Sequence, residues 1–166
     1  MELNQATLRG ILAQILSVDE SFVIPKQGNW YNPQESENKP ATWCAYRIKS
    51  NRPRTAPFYE EVDGKQTCLV YKIAEIELQF VGKQSEEIAQ SVSMWPMRSD
   101  VQKYFKSVQG AIMYDDMTAI SSFFSQEGGN TVTAWNVTFK VLWVSQMPAN
   151  QNIIKTIDIG GHTYVK

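Results

Sequence analysis

Apolar residues near the start of the chain recur at the spacing of a helix. They occupy positions i, i+3, i+4, i+7 and i+8, with mostly polar residues between them: Leu8, Ile11, Leu12, Ile15 and Leu16. This spacing places all of them on one face. It predicts an amphipathic first helix, which Gly10 weakens by about 1 kcal/mol relative to alanine.

The next segment, 23–42, shows no period. Prolines, asparagines and a glycine interrupt it throughout, which is typical of a loop. Two large aromatic residues, Trp30 and Tyr31, lie in its middle. We interpret them as anchors that either tuck under the loop or contact a partner.

Two strands follow, each with alternating apolar and polar residues. The first, 43–50, places Cys44, Tyr46 and Ile48 on one face. The second strand, 67–81, is longer. Its apolar face carries Ala74, Ile76, Leu78 and Phe80, and its polar face carries Glu75, Glu77 and Gln79. We predict that the two strands pair in an antiparallel manner.

The segment between these strands, 51–66, is longer than a tight turn requires. Connections above about 12 residues are uncommon and are usually functional or disordered. We therefore interpret 51–66 as an extended arm and as the most informative irregularity of the chain.

Two short helices are predicted next. Ser85 is expected to cap a helix that runs to Pro96, and Ser99 or Asp100 a second helix that ends at Gly110. The remaining predictions are a strand region at 113–125, a turn at 126–130, a strand at 132–145 with the clearest alternation, and a terminal hairpin at 153–165 around Gly160 and Gly161.

This order of elements predicts an α+β fold: an antiparallel sheet with helices packed on one face and a long protruding β-hairpin arm. The 166 residues fit one domain. We expect a single domain over 1–166, with the arm at about 51–66 and the C-terminal hairpin at about 153–166.

The composition narrows the class of protein. Apolar residues make up 43% of the chain, and 16 basic residues nearly cancel 17 acidic ones. Binding to duplex DNA relies on a surplus of lysine and arginine, so it is disfavoured as the main activity. No stretch approaches the roughly 20 apolar residues of a membrane span, and the start lacks the features of a signal peptide. We expect no membrane partner.

Few residues offer catalytic chemistry. His162 is the only histidine, and its place beside Gly161 predicts a solvated turn. The adjacent acids Asp115 and Asp116 could bind a metal, but an exposed loop explains them better. Glu75 and Glu77 have the spacing of paired glycosidase carboxylates, about 7 Å, but we expect a solvated strand face.

Cys44 and Cys68 lack the CxxC spacing of redox and metal sites. We interpret both as small buried hydrophobic residues, and leave open whether they lie close enough for a disulfide. No glycine pattern matches a nucleotide-binding motif. The sequence therefore predicts no enzyme, no cofactor and no metal.

In this arrangement the chain resembles the neck and tail-terminator (tail-completion) proteins of long-tailed bacteriophages. The resemblance rests on residue types up to about Val144: an N-terminal helix, a Pro-rich loop leading into an aromatic strand at 39–48, a long strand at 71–82, a helix starting near Asp100, and a closing aromatic strand at 135–141. The loop at 27–39 and the residues after 146 have no counterpart in this plan.

The resemblance implies a structural virion protein of the tail or neck, assembled in the host cytoplasm, without enzymatic activity. Such proteins form a ring, usually a hexamer, that ends polymerisation of the tail tube and joins the tail to the head. The implied partners are further copies of the chain, the tail tube protein, and a head–tail connector or stopper protein. The sheath of a contractile tail is a further candidate, and DNA passes through the lumen only as cargo.

A closed ring uses a head-to-tail contact between two different surfaces, and the arm is our candidate for the reaching surface. Phe58 and Tyr59 would be its apolar anchors. Charged residues near its two ends offer complementarity across a subunit boundary: Arg52 and Arg54 near one end, and Glu60, Glu61 and Asp63 near the other.

Other functions stay open at this stage. A small ligand-binding or enzymatic α+β domain would use a cleft near one of the two acidic pairs. A nucleic-acid-binding adaptor would use a sheet face with Trp43, Arg47 and Lys49. Another kind of head–tail adaptor is a further alternative.

Overall fold

The structure, a computed structural model, describes residues 3–26, 42–82, 84–114, 121–127, 130–148, 156–159 and 162–165. In chain order its elements are α1 (Gln5–Leu16), β1 (Val23–Pro25), β2 (Thr42–Pro53), β3 (Phe58–Val62), β4 (Lys65–Gly82), α2 (Ser85–Val92), α3 (Ser99–Phe105), β5 (Ala111–Ile112), β6 (Ser121–Glu127), β7 (Asn130–Pro148), β8 (Thr156–Ile159) and β9 (His162–Val165). The fold is mixed α+β with a mostly antiparallel sheet, as predicted.

Helix α1 matches its sequence prediction. Asn4 caps its start, because the Asn4 side chain accepts a hydrogen bond of 2.9 Å from the backbone N–H of Thr7. The helix ends at Ser17, whose left-handed backbone has a φ of 54°. Leu8 and Leu12 of the predicted apolar face are fully buried, so burial of one face holds this helix on the body.

The central strand of the main sheet is β4. Strands β2 and β7 flank it, and both run antiparallel to it. Strand β3 pairs with the first residues of β4, on the same side as β2, and β1, β5 and β6 complete the seven-stranded sheet. Strands β2, β4 and β7 confirm the long alternating patterns in the sequence and extend beyond the predicted ends.

The loop prediction for 23–42 is wrong at its start. Val23–Pro25 forms β1, which runs parallel to β2 and pairs with residues from Cys44 to Tyr46. Val23 is fully buried, so three residues suffice for a strand here, and Pro25 is tolerated because β1 lies at a sheet edge. Residues 27–41, with Trp30 and Tyr31, lie outside the described residues.

The core contains residues from both the helices and the sheet. Buried side chains of α1, α2 and α3 form one cluster with those of β2, β4 and β7. At its centre, the Phe139 ring meets the rings of Trp95 and Phe105 edge to face, with centroid distances of 5.7 and 6.4 Å. Edge-to-face aromatic pairs add stability beyond the area that they bury.

The predicted helix caps are wrong at two starts. Ser85 is the first residue of α2, and Gln84 occupies the cap position without a side-chain hydrogen bond. Ser99 likewise opens α3 behind Arg98. The acidic residues Glu86 and Glu87 in the first turn of α2 favour the helix end through its dipole, so a side-chain cap is not required there.

The predicted helix stop at Gly110 is also wrong. Helix α3 ends at Phe105 and continues as a 3₁₀ turn, Lys106–Val108. Gln109, with a φ of 50°, supplies the left-handed residue. Gly110 serves a different purpose, because a Cβ atom there would lie 3.1 Å from the carbonyl oxygen of Leu142.

The second half of the chain is mostly as predicted. Of the strand region predicted at 113–125, β6 confirms only 121–125, and it runs on to Glu127 into the predicted turn. Met113 and Tyr114 are not in a strand, and β5 lies just before the predicted region. Strands β6 and β7 form a hairpin whose last pair is Glu127 and Asn130, and β8 and β9 form the predicted terminal hairpin as a separate two-stranded sheet. No helix within the described ranges is long and apolar enough to cross a membrane.

Candidate assembly interface

The segment predicted as an extended arm, 51–66, consists mostly of strand residues. Strand β2 continues to Pro53, and β3 forms a hairpin with β4 through Asp63 and Gly64. Both turn residues have positive φ, 52° and 71°, as a two-residue type I′ hairpin turn requires. An Asp-Gly pair is the strongest short hairpin signal, so this turn could have been read from the sequence.

The structure brings the candidate interface residues together on this hairpin and at its base. Arg52 lies in β2 opposite Ile73, and Arg54 follows that strand directly. Phe58 and Tyr59 open β3. The acidic residues continue along β3 into the turn: Glu60, Glu61 and Asp63. Apart from the half-buried Phe58, all of the candidate residues are exposed.

Three contacts fix the base of this hairpin. The backbone N–H of Arg54 donates to the Tyr71 carbonyl oxygen at 2.8 Å. The rings of Phe58 and Tyr71 stack with centroids 5.6 Å apart. Trp143 Nε1 donates to Asn51 Oδ1 at 3.0 Å across the sheet. The hairpin is therefore held in place before any partner arrives, which lowers the entropy cost of binding.

Tyr59 belongs to an exposed apolar patch that the sequence prediction missed. Tyr59 pairs with Cys68 on β4, and Cys68 pairs with Met147 on β7, so the three residues lie side by side. Tyr59 is 62% exposed and Met147 is 54% exposed. We name these three residues the arm patch. Met147 was missed because the predicted strand ended at 145, whereas β7 continues to Pro148.

A groove lies towards the other end of β4, between the end of α1 and helix α2. It has a volume of about 590 Å³. Its lining is mostly apolar and includes Ile15, Leu16, Val18, Phe22, Ile88 and Trp95, with Cys44 and Phe80 from the sheet and Asp19 and Arg98 as charged residues. We name it the α1–α2 groove. The residue pattern does not predict this groove, because its walls come from segments that are far apart in the chain.

The face of the sheet that carries Glu75 and Glu77 holds a cluster of ion pairs. Glu77 Oε1 accepts from Lys26 Nζ at 2.8 Å, and Glu77 Oε2 accepts from Arg47 Nε at 2.5 Å. Glu75 pairs with Lys49 at 2.7 Å. The solvated face predicted for the two glutamates is wrong for Glu77, which is only 9% exposed. Its cationic partners come from β2 and from the end of β1, which the sequence pattern did not place beside it.

Burial alone raises the pKa of Glu77, but hydrogen bonds from Lys26 and Arg47 lower it by more, so its net pKa lies below the usual value. Glu77 is therefore an ionised, paired carboxylate. A proton-transferring pair would instead need two carboxyl groups with pKa values pushed apart. Arg47 and Lys49, proposed for a nucleic-acid face, already pair with glutamates, and Trp43's side chain lies outside the described part.

The two cysteines are both free. Cys44 is buried, as predicted, whereas Cys68 is only half-buried. Cys44 pairs with Phe80, and Cys68 lies twelve residues before Phe80 on β4, which corresponds to about 40 Å along a strand. A disulfide between them within one chain is therefore excluded by geometry.

The remaining candidate residues do not form a site in the described structure. His162 is the first residue of β9, so its assignment to a turn is wrong; the hairpin register pairs it with Ile159. Asp115 and Asp116 lie outside the described residues. Within the described ranges, no group of three or more histidine, cysteine, aspartate or glutamate residues could hold a metal ion.

These features define a class: an α+β protein whose described surface carries an apolar hairpin patch and an apolar groove, both suited to contact with other proteins. The chain belongs to the family of the phage neck terminator protein, whose sequence profile matches residues 5–166. This is a family of structural phage neck proteins, which are not normally enzymatic, and membership implies a place in the tail or neck of the virion. No curated protein matches the sequence.

Proposed function

We propose that the chain forms a closed ring, with six subunits, at the head-proximal end of the tail tube. The ring ends polymerisation of the tube and joins the tail to the connector or stopper protein of the head. It is assembled as one domain in the host cytoplasm. DNA passes through its lumen as cargo, and in a contractile tail the sheath is a further partner.

Family membership over residues 5–166 is the observation that carries this proposal. A neck terminator must contact the last ring of the tube on one side and the head on the other. A subunit that binds the growing end of the tube, and has no surface to which further tube protein can bind, stops polymerisation simply by covering that end. No bond is made or broken in such a mechanism, so recognition surfaces are its working parts.

The exposed residues of the arm are the second argument for a ring. We assign the subunit contact to the hairpin that carries Tyr59, with Phe58 as the residue that steadies it through Tyr71. The exposed charges provide specificity of pairing: Arg52, Arg54, Glu60, Glu61 and Asp63. In this proposal the hairpin protrudes from the body of the ring subunit and reaches the adjacent copy.

Growth of the tail tube tests this function. Purified tail tube protein of the same phage is polymerised with and without the chain, and tube lengths are measured by electron microscopy. We expect substoichiometric chain to stop elongation and to form a ring at one tube end. Heat-denatured chain is the control. Tubes that grow to the same length distribution, with bare ends, would refute the proposal.

A further inference from the structure

We propose that Tyr59 of one copy inserts into the α1–α2 groove of the next copy, so that this groove is the receptor for the arm. The inference rests on the proposed ring and names the second half of its subunit contact. Three observations carry it: the apolar character of both surfaces, their positions along β4, and the order of their charges.

Both surfaces leave apolar groups open to water. In the arm patch, Tyr59 and Met147 are more than half exposed. The groove is concave, and at about 590 Å³ it lies within the size range of sites that enclose large ligand groups. A tyrosine that enters such a groove buries its ring and keeps its hydroxyl at the mouth, which is why tyrosine dominates contact energies at many interfaces.

The two surfaces lie towards opposite ends of one long strand. The hairpin turn at Gly64 precedes β4, and the groove is lined by Phe80 near the end of β4. Sixteen residues separate these positions, which is about 50 Å along a strand. A projecting surface at one end and a receptor at the other are what a head-to-tail ring contact requires.

The charges follow a matching order. The arm is basic at its base, with Arg54, and acidic towards its tip, with Glu61. The groove has Asp19 on the side of α1 and Arg98 on the side of α2. An arm that crosses the groove from α1 to α2 therefore places Arg54 near Asp19 and Glu61 near Arg98. The present partner of Arg98 is Asp100, in a pair with both side chains about half exposed, and such exposed pairs contribute little and exchange easily.

Mixing two complementary variants tests this contact. Tyr59→Ser removes the anchor from the arm, and Ser91→Phe fills the groove, since Ser91 is part of its lining. Lys106→Glu is the matched control, because Lys106 is exposed, follows the end of α3 and belongs to neither surface. Sedimentation is measured under the condition in which the unmodified chain forms rings, with tube protein added if rings require it. Thermal unfolding checks that each variant folds, and Val18→Arg is the second groove variant.

Each arm or groove variant alone is expected to stay monomeric, with a dissociation constant of the contact raised about 30-fold or more, whereas Lys106→Glu is expected to form rings like the unmodified chain. An equimolar mixture is expected to form dimers that do not grow, because only one intact arm and one intact groove can meet. Rings formed by Ser91→Phe or Val18→Arg alone, or a mixture that stays monomeric, would overturn the groove assignment and leave the ring itself standing. If the unmodified chain never forms rings, the proposed function fails as well.

Discussion

Replacing Glu77 by glutamine tests how the sheet holds its buried charges. The substitution keeps the shape of the side chain but removes the negative charge that pairs with Lys26 and Arg47. The Arg47 side chain is 36% exposed and can turn to water, whereas that of Lys26 is only 10% exposed. Glu77→Gln therefore leaves one buried cation without its counter-charge.

Breaking a buried ion pair from one side costs about 3–5 kcal/mol. For a chain of this size each kcal/mol lowers the midpoint of thermal unfolding by about 2–4 °C. We therefore expect Glu77→Gln to lower the free energy of unfolding by about 3–5 kcal/mol and the midpoint by roughly 6–20 °C. Chemical and thermal denaturation followed by circular dichroism measure both.

The double replacement Glu77→Leu with Lys26→Met is the control, because it removes the charge pair without leaving Lys26 unpaired. It is expected to recover most of the stability that Glu77→Gln loses. As a second control, Glu75→Gln removes a more exposed pair with Lys49 and is expected to cost less than about 1 kcal/mol. A Glu77→Gln protein as stable as the unmodified chain would show that the pair is not buried as described.

The stability that the Glu77 ion pair contributes should also depend on pH. Although burial raises it, the pKa of Glu77 is lower in the folded chain than the usual value of a glutamate, because Lys26 and Arg47 donate hydrogen bonds to it. Its ionised form therefore contributes stability above the unfolded pKa, and this contribution is lost as the pH falls from that value through the folded pKa. The unmodified chain should lose stability relative to Glu77→Gln over this acidic range. A stability difference that stays constant with pH would contradict the assignment.

Three further predictions concern the core, the thiols and the first helix. Phe139→Ala is expected to cost about 3–5 kcal/mol, since it leaves a cavity at a fully buried ring; a loss below 1 kcal/mol in denaturant titration would show that the site is not close-packed. Burial raises the pKa of the Cys44 thiol. A thiol reagent should therefore modify Cys68 in the folded chain and Cys44 only after unfolding. Equal modification rates of the two cysteines, measured by mass spectrometry, would contradict the burial of Cys44. Asn4→Ala removes the acceptor of the hydrogen bond from the Thr7 backbone N–H and should lower the free energy of unfolding by about 1 kcal/mol. Asn4→Ser should retain most of that stability, and thermal unfolding of both variants measures the difference.

The best predicted elements are those in which the alternation of apolar and polar residues extends over many positions. Helix α1 and strands β2, β4 and β7 show an apolar period over many residues, so a single buried face determines each of them. Strand β1 has only three residues and a proline, too few for a period. It forms because β2 offers a parallel edge, and that partner begins some twenty residues later in the chain.

The candidate interface was predicted only in part. The charged and aromatic residues of the arm were visible because they interrupt the strand pattern. The groove was not, because Val18 of one wall and Ile88 of the other meet only after folding. Glu77 was misjudged for the same reason: alternation assigns a residue to a face, but the depth of burial depends on what covers that face. Lys26 and Arg47 come from separate strand regions.

The position of this subunit in the virion tests the central claim most directly. Cryo-electron microscopy of purified phage particles, with the chain located by its density or by an antibody fragment, gives its place and copy number. We expect a single ring of six copies between the last tube ring and the head connector. Copies distributed along the tube, or particles with a complete neck that lack the chain, would contradict its assignment as the subunit that closes the tail.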